Sequence, residues 1–266
     1  MGASGSAWDD AKAGYKAVMG NRGAILRYAG LPMLISFLIS GLLMGGLEPP
    51  AEGQGISWFV ANAPVLSVNA LVGAWASALM SIRWQRWFLL GEDDRRWALL
   101  PLADGPVWRY ALGNIAIGLL VAAAVGLAVL AAGMAAVLGG MLFGQAGAAA
   151  FSFLGGMMAL ALMPILVGRC SPGLVPVALG EKAAVRRSFD MTKGISTRLG
   201  LGVLLFLGPM LLALAVAGGI AMMLPEVLAG VVQGLVALPF LAGLAVAWAK
   251  VWREISGPGA LVSGYA

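Results

Sequence analysis

Six apolar runs of about 20 residues or more, separated by segments that hold every basic residue, leave this chain few ways to fold. The runs lie at about 28–47, 57–82, 111–138, 148–167, 199–224 and 227–251. About 20 consecutive apolar residues cross the hydrocarbon core of a bilayer as a helix, and a helix satisfies its own backbone there. With 61% of residues hydrophobic and 11% charged, against roughly 25% charged in soluble domains, a water-soluble fold could not cover this much apolar surface. The expected fold is all-α and integral to the membrane, a single domain over 1–266 with six transmembrane helices.

Charge placement orients it. All 17 lysines and arginines fall within 12–27, 83–109, 169–198 and 250–253, and the three intervening turns hold none. Because orientation follows Lys and Arg rather than net charge, those four segments are expected in the cytoplasm, N-in and C-in, with Glu48, Glu52 and Glu226 on the opposite face. The run Glu48-Pro49-Pro50-Ala51-Glu52-Gly53 reads as an exposed turn, which no helix continues through. The first 27 residues lack the apolar core of a cleavable signal peptide and are read as part of the mature protein. Tryptophans such as Trp58, Trp84, Trp87 and Trp108 sit at the edges of the runs, as interfacial anchors do.

The runs pair into three hairpins with a common lead. Leu26-Arg27-Tyr28-Ala29 matches Trp108-Arg109-Tyr110-Ala111 and, more weakly, Thr197-Arg198-Leu199-Gly200; Arg86, Arg169 and Lys250 or Arg253 close the returning spans. Asp10, Ala13, Lys16, Gly23 and Arg27 also align with Glu181, Ala184, Arg187, Gly194 and Arg198. Three units follow, 1–90, 91–170 and 171–266, each an interfacial amphipathic helix plus a hairpin, stacked as a parallel repeat. An arginine ahead of any span leaving the cytoplasm explains the same matches without a repeat.

The polar interval 169–198 carries the most distinctive residues. Pro172 and Pro176 break the chain, and 180–194 reads as a basic amphipathic helix with Val185, Ser188, Phe189 and Thr192 on one weakly apolar stripe, suited to the headgroup layer. Its order is Arg169, Pro-x-x-x-Pro, Ala178-Leu179-Gly180-Glu181, Ser188-Phe189-Asp190-Met191-Thr192-Lys193-Gly194, Arg198. This order resembles a group of bacterial six-span proteins that includes the YciC-like proteins and the membrane domain attached to some glycerophosphodiester phosphodiesterases. The resemblance is carried by about 30 residues of the chain. It implies a multi-pass protein of the bacterial inner (cytoplasmic) membrane and no assigned activity; no soluble segment here is long enough for the phosphodiesterase domain.

The chemistry of the chain is sparse. Histidine is absent and Cys170 is the single cysteine, which removes an intramolecular disulfide, a Cys-x-x-Cys pair and the commonest ligands of haem and zinc. We expect no catalytic residue, metal or cofactor, and not an enzyme. The spans hold Asp, Glu, Lys and Arg only at their ends, whereas ion-coupled transporters bury such groups along the ion path. The net charge of +5 belongs to residues flanking the spans, so anionic lipid rather than nucleic acid is the expected partner. Headgroup binding is assigned to Arg27, Arg86, Arg109, Arg169, Arg186, Arg187 and Arg198, since a guanidinium grips phosphate with two hydrogen bonds; snorkelling anchors account for the same arginines.

Asn62, Asn69 and Asn114 are candidate cavity-lining residues, the first two flanking Pro64 in one span. Interhelical hydrogen bonding is their plainer use. Gly41/Gly45 and Gly140/Gly144 have the spacing that brings helices together. Two functions fit. One is a noncatalytic scaffold or accessory subunit of a membrane complex, partnered by anionic lipids and by other membrane proteins or a second copy. The other is a permease or lipid-handling protein with a cavity between repeats.

Overall fold

The computed structural model describes residues 5–48, 50, 55–91, 105–221 and 223–256, and among them every regular element is helical. The elements are α1 (Ala7–Gly20), α2 (Arg22–Ile25), a π-helical turn (Leu26–Gly30), α3 (Leu31–Met44), α4 (Gly55–Leu90), α5 (Gly105–Cys170), a 3₁₀ turn (Ser171–Leu174), α6 (Val175–Ala178), α7 (Val185–Met191), a second 3₁₀ turn (Lys193–Ile195), α8 (Ser196–Ala221) and α9 (Glu226–Ser256). Most of the turn at 48–53 and of the polar segment at 91–104 lies outside the described residues.

Among the described residues five helical stretches are long and apolar enough to cross a membrane: Arg22–Met44, Ser57–Leu90, Gly105–Ala178, Lys193–Gly219 and Leu228–Ser256. The third and fourth apolar runs share α5. On one straight helix the 23 residues from Ala132 to Gly155 would span about 35 Å, yet a methyl built on Gly155 would collide with Ala132, and one on Gly147 with the Gly139 carbonyl. The chain therefore doubles back inside α5, at Gly144, whose φ of 66° and ψ of −158° are non-helical and lie in a region open essentially to glycine alone. Sequence placed a connection over 139–147; helix persists on both sides because Gly139 and Gly147 let the two arms touch. Gly140/Gly144 is accordingly no helix-packing pair, since Gly144 is the reversal itself.

The core gathers at one end. Tyr28, Trp84, Gln85, Tyr110, Leu174, Val177, Phe206 and Leu238 are almost wholly buried, whereas Leu127, Leu130, Met134, Met141 and Phe153 of α5 are exposed. Part of this core was missed by sequence. Leu174, Val175, Val177 and Ala178 are fully buried, so the interval 169–198 is not polar throughout: Ser171–Ala178 tucks in as two short helical turns.

The predicted helix over 180–194 is also shorter, seven residues from Val185. Its weakly apolar stripe faces protein rather than a headgroup layer: Ser188 and Thr192 are fully buried, the Ala184 amide donates to the Gly173 carbonyl at 2.8 Å, and Ser188 Oγ donates to the Arg169 carbonyl at 2.7 Å. Gly173 permits this, because any Cβ there would strike Val185 and the Ala184 carbonyl.

In the aligned leading segments, α1 is a full 14-residue helix with Asp10 buried, while its counterpart Glu181 is exposed and outside any helix. A capping box starts α1: Ser6 Oγ accepts from the Asp9 amide at 3.1 Å, and the Asp9 carboxylate accepts from the Ser6 amide at 3.0 Å. Asp10, Ala11, Gly14 and Val18 then form its buried stripe. Gly14 meets the Gly243 carbonyl of α9 and the Phe206 ring of α8 with no room for a side chain, and Tyr15 Oη donates to the Leu205 carbonyl at 2.8 Å.

Candidate functional site at the basic end

Contacts draw the basic segments together. Lys250 and Arg198 meet on Asp10, Arg86 reaches Ala178, and the Arg253 guanidinium lies 5.1 Å from the Phe88 ring centroid. The described parts of the four basic segments thus share one end of the bundle, where Arg22 and Arg27 also meet Trp87. The start of α1 and the end of α9 are there too.

At its centre is an ion cluster. Arg198 in the first turn of α8 donates from Nε and Nη2 to the two Asp10 oxygens at 2.7 Å each, and from Nη2 to Glu254 at 2.7 Å. Lys250 Nζ adds a bond to Asp10 at 2.7 Å and lies 3.4 Å from Glu254, one turn further along α9. The Arg198 and Asp10 side chains are only 9% and 5% exposed. Ion pairs this dry depend on further hydrogen bonds to the charged groups, and here Nε and Nη2 of Arg198 are both matched while its Nη1 has no partner among the described residues. The space beside the cluster is about 10 Å³, no more than one water needs, so Arg198 binds carboxylates where sequence assigned it a lipid phosphate.

Two more of the predicted headgroup arginines fasten the chain to itself. Arg86 Nε donates to the Ala178 carbonyl at 2.6 Å. Arg169 Nη2 donates to the Phe189 carbonyl at 2.6 Å, and its guanidinium sits 3.5 Å from the Phe189 ring centroid, a cation–π contact. Together with Lys250 on Asp10, a basic residue near the end of each of α4, α5 and α9 holds a segment that precedes another long helix.

The remaining four differ. Arg186 and Arg187 on α7 and Arg109 at the start of α5 are exposed, Arg109 bonding only weakly to the Gly105 carbonyl at 3.4 Å. Arg27 is half-buried in the π-helical turn and lines a pocket of about 310 Å³ with Gly20, Asn21, Arg22, Gly23, Ala24, Tyr28 and Trp87.

Asn62, Asn69 and Asn114 are each half-buried, on α4 and α5, and line neither this pocket nor the one of about 360 Å³ between Ser40, Gly41, Gly45 and Gln233 at the other end of α3 and α9. Asn62 Nδ2 donates to the Trp58 carbonyl one turn back, at 2.9 Å. A fully buried pair went unread in the sequence: Gln85 Nε2 donates to Tyr110 Oη at 2.8 Å, joining α4 to α5. Asp10 and Glu254 were missed as cluster members too. The alignment of Asp10 with Glu181 marked it as patterned, but not as a partner for an arginine 188 residues away. Among the described residues no group of His, Cys, Asp and Glu could hold a metal ion. Comparison with family models, curated proteins and solved structures gives no match.

Proposed function

We propose that this chain is a noncatalytic six-span protein of the bacterial inner membrane, related to the YciC-like group, with both termini in the cytoplasm. It acts as a scaffold or accessory subunit of a membrane complex and binds anionic lipid at its basic end. The observation that carries this reading is the polarity of packing. The end with the basic residues is closed by ion pairs and hydrogen bonds, while the two arms of α5 stand clear of the bundle with apolar side chains outward, a surface for lipid or for another helix. The two arms count as two of the six spans. In this reading Arg27, Arg109, Arg186 and Arg187 serve the headgroups; Arg86, Arg169 and Arg198 fix the end that presents them.

Reporter fusions at position 50 and at the C-terminus test the topology, with a cytoplasmic signal at position 50 counting against it. Native mass spectrometry of the chain purified in mild detergent tests the role. A stoichiometric protein partner with retained anionic lipid is the expected result. A small solute retained by the isolated chain, without a partner, favours the permease reading instead.

A further inference from the structure

Among the described residues the corner between α1 and α3 is the one built around a π-helical turn. α1 ends at Gly20, Asn21 breaks the helix with φ of −130° and ψ of 48°, α2 lasts one turn, and the wider π-helical turn follows before α3 begins. Such π turns recur at functional sites, since they push side chains out of the regular register. Here the turn carries Arg27 and Tyr28. Asn21 Nδ2 is tied back to the Ala17 carbonyl at 2.9 Å, which holds the corner open.

The resulting pocket has two walls of opposite character. One is polar, with Arg22, Arg27 and Asn21 and, among the described residues, no carboxylate in its lining. The other is aromatic and rigid: Trp87 stands edge-on to Trp84 at 5.4 Å, and Trp84 edge-on to Tyr28 at 5.4 Å, with Trp84 and Tyr28 anchored in the core. Arg27 has an interaction within the chain, and a guanidinium with five N–H donors serves a protein group and a phosphate together. At about 310 Å³ the pocket holds roughly ten waters' worth of liquid, enough for a phosphate and the small alcohol esterified to it.

We propose that this pocket binds one phosphate ester, its phosphate between Arg22 and Arg27 and its apolar side along Trp87. This rests on the lipid-binding reading above and narrows it to one site. The ester comes from an anionic phospholipid or from a free molecule of the same chemistry.

The test uses the full chain in mild detergent, with phosphatidylglycerol, phosphatidylcholine and glycerol 3-phosphate as probes, read by native mass spectrometry and thermal unfolding. Wild type should hold one phosphatidylglycerol in preference to phosphatidylcholine. R22Q/R27Q should bind it at least about tenfold more weakly, the scale of one charge-assisted hydrogen bond, whereas K182Q/K193Q, which removes equal charge from exposed positions on either side of α7, should keep it. G23L is the second variant: Gly23 lines the pocket and a Cβ there meets nothing within 4 Å, so a leucine is accommodated and takes space from the ligand, spares both arginines, and improves on glycine in a helix. It too should lose the lipid. Stabilisation by glycerol 3-phosphate that needs Arg22 and Arg27, with no retained lipid, keeps the pocket and overturns the lipid-binding reading. Equal retention in all variants, equal loss in both charge variants, or no effect of either probe on wild type overturns the pocket.

Discussion

The two ends of α5 obey different rules. Near Tyr110 and Cys170 it is pressed into a core with α4, α6 and α8, while toward Gly144 its arms touch mainly each other; only 11% of the most apolar window of Gly105–Ala178 is buried, against 39% for that of Ser57–Leu90. In water the second arrangement would be untenable. In hydrocarbon it is stable, because lipid tails are as apolar as leucine and burial against protein adds little. Packing is therefore concentrated where the chain carries charge and amides that lipid cannot satisfy.

If that contrast is right, mutations at the basic end should be severe and those near Gly144 local. The largest effect is expected from D10A, which leaves Arg198 and Lys250 with the more exposed Glu254 alone and should cost about 3–5 kcal/mol, the range for breaking a buried pair. Unfolding in mild detergent measures it, and a cost under about 1 kcal/mol would place the cluster in the class of surface pairs. G14A comes next. Its methyl collides with the Gly243 backbone and Phe206, and the shift of α1 should cost about 1–3 kcal/mol.

G144A should cost a similar or smaller amount, about 1–3 kcal/mol for the forced backbone. The difference lies in where it is felt. Hydrogen exchange should rise along 126–160 and stay unchanged at Trp84 and Tyr110; loss of protection at both would join the regions. Leu130→Ala, on an exposed position, should change stability of the isolated chain by less than about 0.5 kcal/mol, and a large loss of a co-purifying protein in the same variant would identify the face that partner uses.

The smallest effect concerns pH. Hydrogen bonds from the Ser6 side chain and backbone hold the Asp9 carboxyl below its ordinary value of 3.8. A carboxyl lowered on folding stabilises above its unfolded value, and that contribution is lost as pH falls through the lower folded one. Helix α1 should therefore fray from its start only below about pH 4, an acid step that S6A weakens by deleting the side-chain bond while the backbone amide still donates, visible as exchange at Asp9 and Asp10.

Much of this was legible in the residues, and the divisions are instructive. The helical class and the long apolar stretches follow from composition and run length. That the basic segments belong together follows from their exclusion from every other turn. The reversal within 139–147 was readable as glycine, though not its reduction to Gly144. What could not be read is which arginines stay exposed and which are closed in by protein. Arg109 and Arg198 lead spans in the same way, yet one is exposed and the other is closed in by Asp10 and Glu254. The choice depends on α1 docking across α8 and α9, which in turn depends on Gly14 and Gly243 lacking side chains.

A helical chain of membrane-spanning length with its basic residues held to four segments follows from the residues alone, because hydrocarbon tolerates only long, uncharged, self-satisfied helices and that demand is written residue by residue. Tertiary packing was needed to bury Ser171–Ala178, to make fasteners of Arg86, Arg169 and Arg198, and to bring Arg22, Arg27 and Trp87 around a pocket. Those outcomes rest on pairs far apart in the chain, and a hydrogen bond between residue 10 and residue 198 leaves no local trace in either segment.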